Sequence, residues 1–141
     1  MPDENVIKNL KVGLEMTPKW IREGLTKEAI EFAEGCGKDL AGKLTSSQIR
    51  NAYGEVKRIQ MKKDEENFET DVALLKPRLA YAKVRKTDNE KRAADELGKI
   101  LSKAIETVLE ERDYHNQRKR FDNFAAFFEA ILAYHRANGG N

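Results

Sequence analysis

The chain has 141 residues, 40% of them hydrophobic and 35% charged, with a formal net charge of +2 and one cysteine. That length fits one domain, and a single cysteine excludes an internal disulfide. No apolar stretch approaches the roughly 20 residues a membrane-spanning helix needs, and so small a net charge does not by itself announce a nucleic-acid partner.

The start, Met1-Pro2-Asp3-Glu4-Asn5, lacks the basic and then apolar run of a secretory signal. With Cys36 unpaired, a reducing, cytoplasmic home is expected. Residues 1–25 are the hardest to read and are expected to form an N-terminal extension, partly ordered, ahead of a helical domain over 26–141. Within that extension Thr17-Pro18 reads as an N-cap and first-position proline, opening a short helical turn at Lys19-Trp20-Ile21-Arg22.

Thr26 caps a helix expected to run through Phe32 to Glu34, where Gly35, Gly37 and Gly42 break it. Thr45-Ser46-Ser47-Gln48 is a capping box. The helix behind it carries Ile49, Ala52, Tyr53, Val56 and Ile59 on one face and should end near Lys62. Asp64-Glu65-Glu66 suits the positive end of the next helix dipole. There Phe68, Val72, Leu75, Leu79 and Ala82 continue one stripe across Pro77, which favours a single kinked helix over a break near Lys76.

Thr87-Asp88-Asn89-Glu90 is a second capping box, followed by an apolar stripe of Ala94, Leu97, Leu101, Ala104, Ile105 and Val108. A last helix from near His115 should bury Phe121, Phe124, Phe128, Ile131, Leu132 and His135, and stop at Asn138-Gly139-Gly140. Strand signals are nearly absent. The expected fold class is all-α, a small helical bundle of about five main helices.

Catalytic chemistry finds little support. Cys36 lies between two glycines, which could expose a thiol, but His115 and His135 are remote from it in sequence. Two histidines and one cysteine match no zinc spacing, and no Glu stands three residues before either histidine, as a di-metal bundle would need. No catalytic residue, metal ligand or cofactor is expected. His135 reads as packing, or as a favourable charge at a helix end.

The cations, in contrast, are segregated. From Arg50 to Lys63 there are five against one anion; from Lys76 to Arg92, seven against two; from Arg112 to Arg120, four against one. Arg50 and Lys57 are seven apart, and so share one side of a helix. Lys76 and Lys83, and Arg78 and Arg85, repeat that spacing. Such rows suit a phosphate backbone, where each neutralised phosphate releases counterions. A salt-bridged helical surface is the plain alternative. Tyr53 and Tyr81 are possible base-stacking partners, though each borders an apolar stripe.

Three segments also resemble a known family. Leu44-Thr45-Ser46-Ser47-Gln48-Ile49-Arg50 is similar to the opening, the run from Leu75-Lys76-Pro77 to Val84-Arg85 to the central helix, and the run from Phe127-Phe128-Glu129 to Asn138-Gly139-Gly140 to the ending of the small subunit of the type III-A CRISPR Csm complex. The resemblance covers Leu44 to the end and identifies 26–141 as a helical small-subunit domain. It implies a non-catalytic protein whose copies stack beside guide RNA and target RNA, among other Csm subunits, with self-stacking copies or a homodimer as further partners and no membrane. Carried onto this sequence, it makes Arg50, Lys57, Arg58, Arg78, Lys83 and Arg85 the expected contacts to the RNA phosphate backbone, with Arg118, Arg120 and Arg136 behind them. The alternatives are a structural helical adaptor without RNA contact and, from the enzyme class, a metal-dependent helical nuclease.

Overall fold

Threonine hydroxyls set three helix starts. The side chains of Thr26, Thr45 and Thr87 accept from the backbone N–H groups of Ala29, Gln48 and Glu90, satisfying donors that a helix start leaves unpaired. At Thr45 and Thr87 the reciprocal bond is also made, from the threonine N–H to Gln48 Oε1 (2.8 Å) and to Glu90 Oε1 (3.1 Å), so both capping boxes are complete. Asp113 caps the last helix through Asn116 N–H, a start one residue earlier than the sequence led us to expect.

The computed structural model describes residues 5–63, 65–81 and 87–139. Among them are six α-helices: α1 (Leu10–Glu23), α2 (Lys27–Leu40), α3 (Ser46–Met61), α4 (Glu65–Tyr81), α5 (Asp88–Glu110) and α6 (Tyr114–Ala137). No strand occurs among the described residues; a single bridge joins Ala41 and Leu44. The all-helical class holds, with one helix more than the five expected. None of these helices is long and apolar enough to cross a membrane.

α6 is the spine. It packs against α1, α2, α3 and α5, and α5 in turn packs against α1 and α4. The spacing of Phe121, Phe124, Phe128, Ile131 and Leu132 puts one stripe of α6 inward, and all five are buried, as is Phe127. Phe121 meets Phe68 of α4 edge-on at 5.4 Å, while Phe127 stacks on Phe32 of α2 and tilts against Trp20 of α1. The stripe of α5 from Ala94 to Val108 is buried as expected.

Three local readings change. Thr17 and Pro18 lie inside α1, not at its start: the Thr17 hydroxyl is buried and donates back to the Gly13 carbonyl (2.6 Å). α1 begins at Leu10 instead. Ahead of it, both carboxylate oxygens of the buried Glu96 accept backbone N–H groups, from Val6 (3.0 Å) and Ile7 (2.7 Å), fastening the chain to α5.

Gly35 and Gly37 do not end α2, which continues to Leu40. Tertiary packing overrides their poor helix propensity. A Cβ on Gly37 would lie 2.5 Å from the His135 N and 2.7 Å from the Tyr134 carbonyl carbon, so glycine lets α2 lie directly on the backbone of α6. The turn comes at Gly42, whose φ of +83° suits glycine. Cys36 is therefore not exposed by its flanking glycines. It is buried in α2, and that burial, reinforced by the Asp39 and Glu96 charges, pushes its thiol well above the ordinary range.

α4 is one helix with Pro77 inside it, and Phe68, Val72 and Leu75 of its stripe are buried; Ala82 lies outside the described residues. His135 is packing: it is fully buried, and its Nε2–H donates to the Leu44 carbonyl (2.7 Å). α6 closes through Asn138, whose N–H returns to the Tyr134 carbonyl, with Gly139 following at φ +85°; Gly140 lies outside the described residues.

The α2–α6 contact makes a direct prediction. Gly37→Ala should destabilise the fold by about 1–3 kcal/mol, because the added methyl forces two backbones apart. Urea unfolding followed by circular dichroism measures it; an unchanged midpoint would contradict the close approach.

Candidate nucleic-acid interface

The cation-rich surface rests on α3. The inward side of this helix buries Ile49, Val56 and Ile59 and half-buries Ala52 and Tyr53. Tyr53 is committed to packing: its ring meets Phe128 edge-on at 5.5 Å, and its hydroxyl donates to Glu129 of α6 (3.3 Å). Burial first, and then the Glu129 charge and hydrogen bond, push its phenol up to about 12. Tyr53 thus serves as a core contact. The side chain of Tyr81 lies outside the described residues.

With that side turned inward, helical periodicity turns Ser47, Arg50, Asn51, Gly54, Lys57, Arg58 and Met61 outward, and all are exposed. The face carries three cations and no carboxylate. Lys57 Nζ donates to Gln60 Oε1 (3.2 Å), and among the described residues Arg50 has no ion pair.

Glu55 sits at the edge of this face and joins it to α4. Its Oε1 accepts from Arg58 Nη2 (3.1 Å) on the same helix and from Arg78 Nη1 (3.0 Å) across the gap. These side chains are 40–46% exposed, and pairs of that kind are worth less than about 1 kcal/mol each. Arg78 therefore flanks the α3 cations, and a phosphate could compete for it. Lys76 turns the other way, to Glu106 of α5 (2.8 Å), and holds that carboxyl below its usual range by hydrogen bonding. Lys76 and Arg78, the first members of the two heptad rows, thus meet different helices, α5 and α3. Their continuations, Lys83 and Arg85, lie outside the described residues.

The remaining expected contacts separate by environment. Arg118 is half-buried and donates to the Gln60 carbonyl (2.8 Å) and the Lys62 carbonyl (3.3 Å) at the end of α3, with its guanidinium carbon 4.8 Å above the Phe68 ring. It satisfies carbonyls that a helix end leaves open and ties α3, α4 and α6 together. Arg120 is 19% exposed, donates to the Thr107 carbonyl (2.8 Å), and lies near Glu110 and Glu111 of the α5–α6 junction. Arg136 is exposed on the last turn of α6. The sequence missed the bridging role of Glu55; its three-residue spacing from Arg58 was a readable sign, but its reach to Arg78 depends on how α3 meets α4.

Among the described residues no group of three or more His, Cys, Asp or Glu side chains could hold a metal ion. Arg118→Ala should speed amide hydrogen exchange in the last turn of α3 and cost about 1–3 kcal/mol, since the part-buried Gln60 carbonyl and the exposed Lys62 carbonyl lose a charged donor. Exchange confined to other helices would contradict the clamp.

None of the curated proteins and none of the solved structures matches the chain. A family described as Csm2 Type III-A does match, over residues 24–141, a span that starts just after α1 and includes all three segments quoted above. The chain belongs to the Csm2 type III-A family and is thereby a subunit of the Csm effector complex, assembling with its other subunits.

Proposed function

We propose that this chain is the non-catalytic, RNA-binding small subunit of a cytoplasmic type III-A effector complex, lining guide and target RNA through contacts to the sugar-phosphate backbone. The observation that carries the reading is the outward face of α3, where Arg50 and Lys57 are exposed and have no ion pair among the described residues, beside an Arg58 that shares the exposed Glu55 with Arg78. Phosphate contacts position a protein on nucleic acid, and base pairing between guide and target supplies the sequence information. Arg78 flanks this face; Lys83 and Arg85 extend the proposal along the chain, and Arg136 is a contact at a distance. Arg118 and Arg120 act by holding the scaffold, because their donors are already used by carbonyls.

One copy offers few phosphate contacts, so an isolated subunit binds weakly and gains avidity from copies stacked along the RNA. Such stacking is head-to-tail, with one surface of a copy meeting a different surface of the next. The rival adaptor reading draws on the Glu55 bridge, which already pairs Arg58 and Arg78 within the protein.

Salt dependence separates the two. Titrating a single-stranded RNA at several salt concentrations should give a slope of roughly −0.7 per phosphate neutralised. Arg50→Ala with Lys57→Ala should weaken binding uniformly across RNA sequences and flatten that slope by roughly 1.4, with the helical spectrum intact. A binding constant without salt dependence would favour the adaptor, and a loss limited to one RNA sequence would contradict recognition through the backbone.

A further inference from the structure

The outward face of α3 contains a residue that helix energetics disfavours. Gly54 lies in the middle of a 16-residue helix, is exposed, and an added Cβ would meet nothing within 4 Å. Gly37 has a reason to be glycine in the backbone of α6. Gly54 has no such neighbour, and alanine there would improve helix propensity without a clash.

Its surroundings supply a reason. The helix-surface neighbours of position 54 are those three and four residues away: Arg50, Asn51, Lys57 and Arg58, every one exposed. Gly54 therefore leaves a shallow notch in the helix surface, open to the outside, with Arg50, Asn51, Lys57 and Arg58 at the adjoining positions. Glu55, the one nearby acid on α3, is bonded to both Arg58 and Arg78 at the edge of the face, which leaves Arg50 and Lys57 as the neighbouring cations with no ion pair among the described residues. A gap of this kind beside the exposed Arg50 and Lys57 is complementary to one tetrahedral anion lying close to the helix backbone.

We infer that the Gly54 notch is a seat for a single RNA backbone phosphodiester, with Arg50 and Lys57 as its principal donors and the absent side chain setting how closely the phosphate approaches. This rests on the RNA-binding reading above and adds a specific subsite to it. The glycine thus trades helix stability for contact distance. Charge on the rim alone, without the notch, would hold the phosphate farther out and more weakly.

The test is Gly54→Ala beside Gly35→Ala, in the full chain. Gly35 is the matched control: it also lies within a helix, α2, with nothing within 4 Å of an added Cβ, but its helix-surface neighbours are Glu31, Phe32, Lys38 and Asp39. Both variants should melt at a higher temperature than the parent. Only Gly54→Ala should weaken binding to a uridine 20-mer, by about threefold to tenfold, the loss expected when one charge-assisted contact is lengthened. A poly-glutamate peptide of equal length should bind more weakly than the RNA and ignore the substitution.

The proposal is overturned if Gly54→Ala melts higher yet binds RNA as the parent does while Arg50→Ala still weakens binding. It is also overturned if Gly35→Ala loses RNA affinity equally, or if Gly54→Ala melts lower than the parent. Equal, Gly54-dependent binding of poly-glutamate would assign the notch to an acidic protein partner. Failure of Arg50→Ala and Lys57→Ala to weaken RNA binding would instead remove the RNA reading itself.

Discussion

The arrangement of this protein depends on how closely other helices can approach α6. At Gly37 the missing side chain lets α2 settle on the α6 backbone, and the Phe32–Phe127 stack fills the space beside it. On the opposite flank α3 is held by the Tyr53–Phe128 contact, by Gln60 donating to Asp122 (3.0 Å), and by the Arg118 guanidinium across its C-terminal carbonyls. Those contacts fix the rotation of α3 about its own axis. Rotation matters because half a turn would bury the arginines and expose Ile49, Val56 and Ile59.

The protein uses arginine in two physically different ways. Where a guanidinium is half-buried it meets backbone carbonyls and an aromatic ring, as at Arg118, and its several donors in one plane can serve both at once. Where it is exposed it meets a shared carboxylate, as Arg58 and Arg78 meet Glu55, or none among the described residues, as Arg50. The first use gains energy from desolvated, charge-assisted bonds. The second is cheap to rearrange, as the proposed exchange of an internal carboxylate for an external phosphate requires.

Much of the fold was legible because its signals are local. The capping boxes at Thr45 and Thr87, the stripes on α3, α5 and α6, and the passage of α4 through Pro77 all depend on residues within a few turns of one another. The misreadings share one cause. Thr17-Pro18 and Gly35 to Gly37 look like helix boundaries by local rules, and are carried inside helices by distant partners: α1 by burial of Trp20 and Ile21, and α2 by the α6 backbone. The candidate interface was legible as composition, since Arg50 and Lys57 had to share a side. Which cations the scaffold consumes was not, because Arg118 over Phe68 and Arg78 on Glu55 depend on how separate helices meet.

Ultraviolet crosslinking of 4-thiouridine-substituted target RNA within an assembled, guide-loaded complex, followed by peptide mapping, tests the central claim most directly. Crosslinks should concentrate on the outward face of α3, in the tryptic peptide 51–57 and its neighbours. Crosslinks confined to α2 or α5, or none on this subunit while its partners crosslink, would contradict the account.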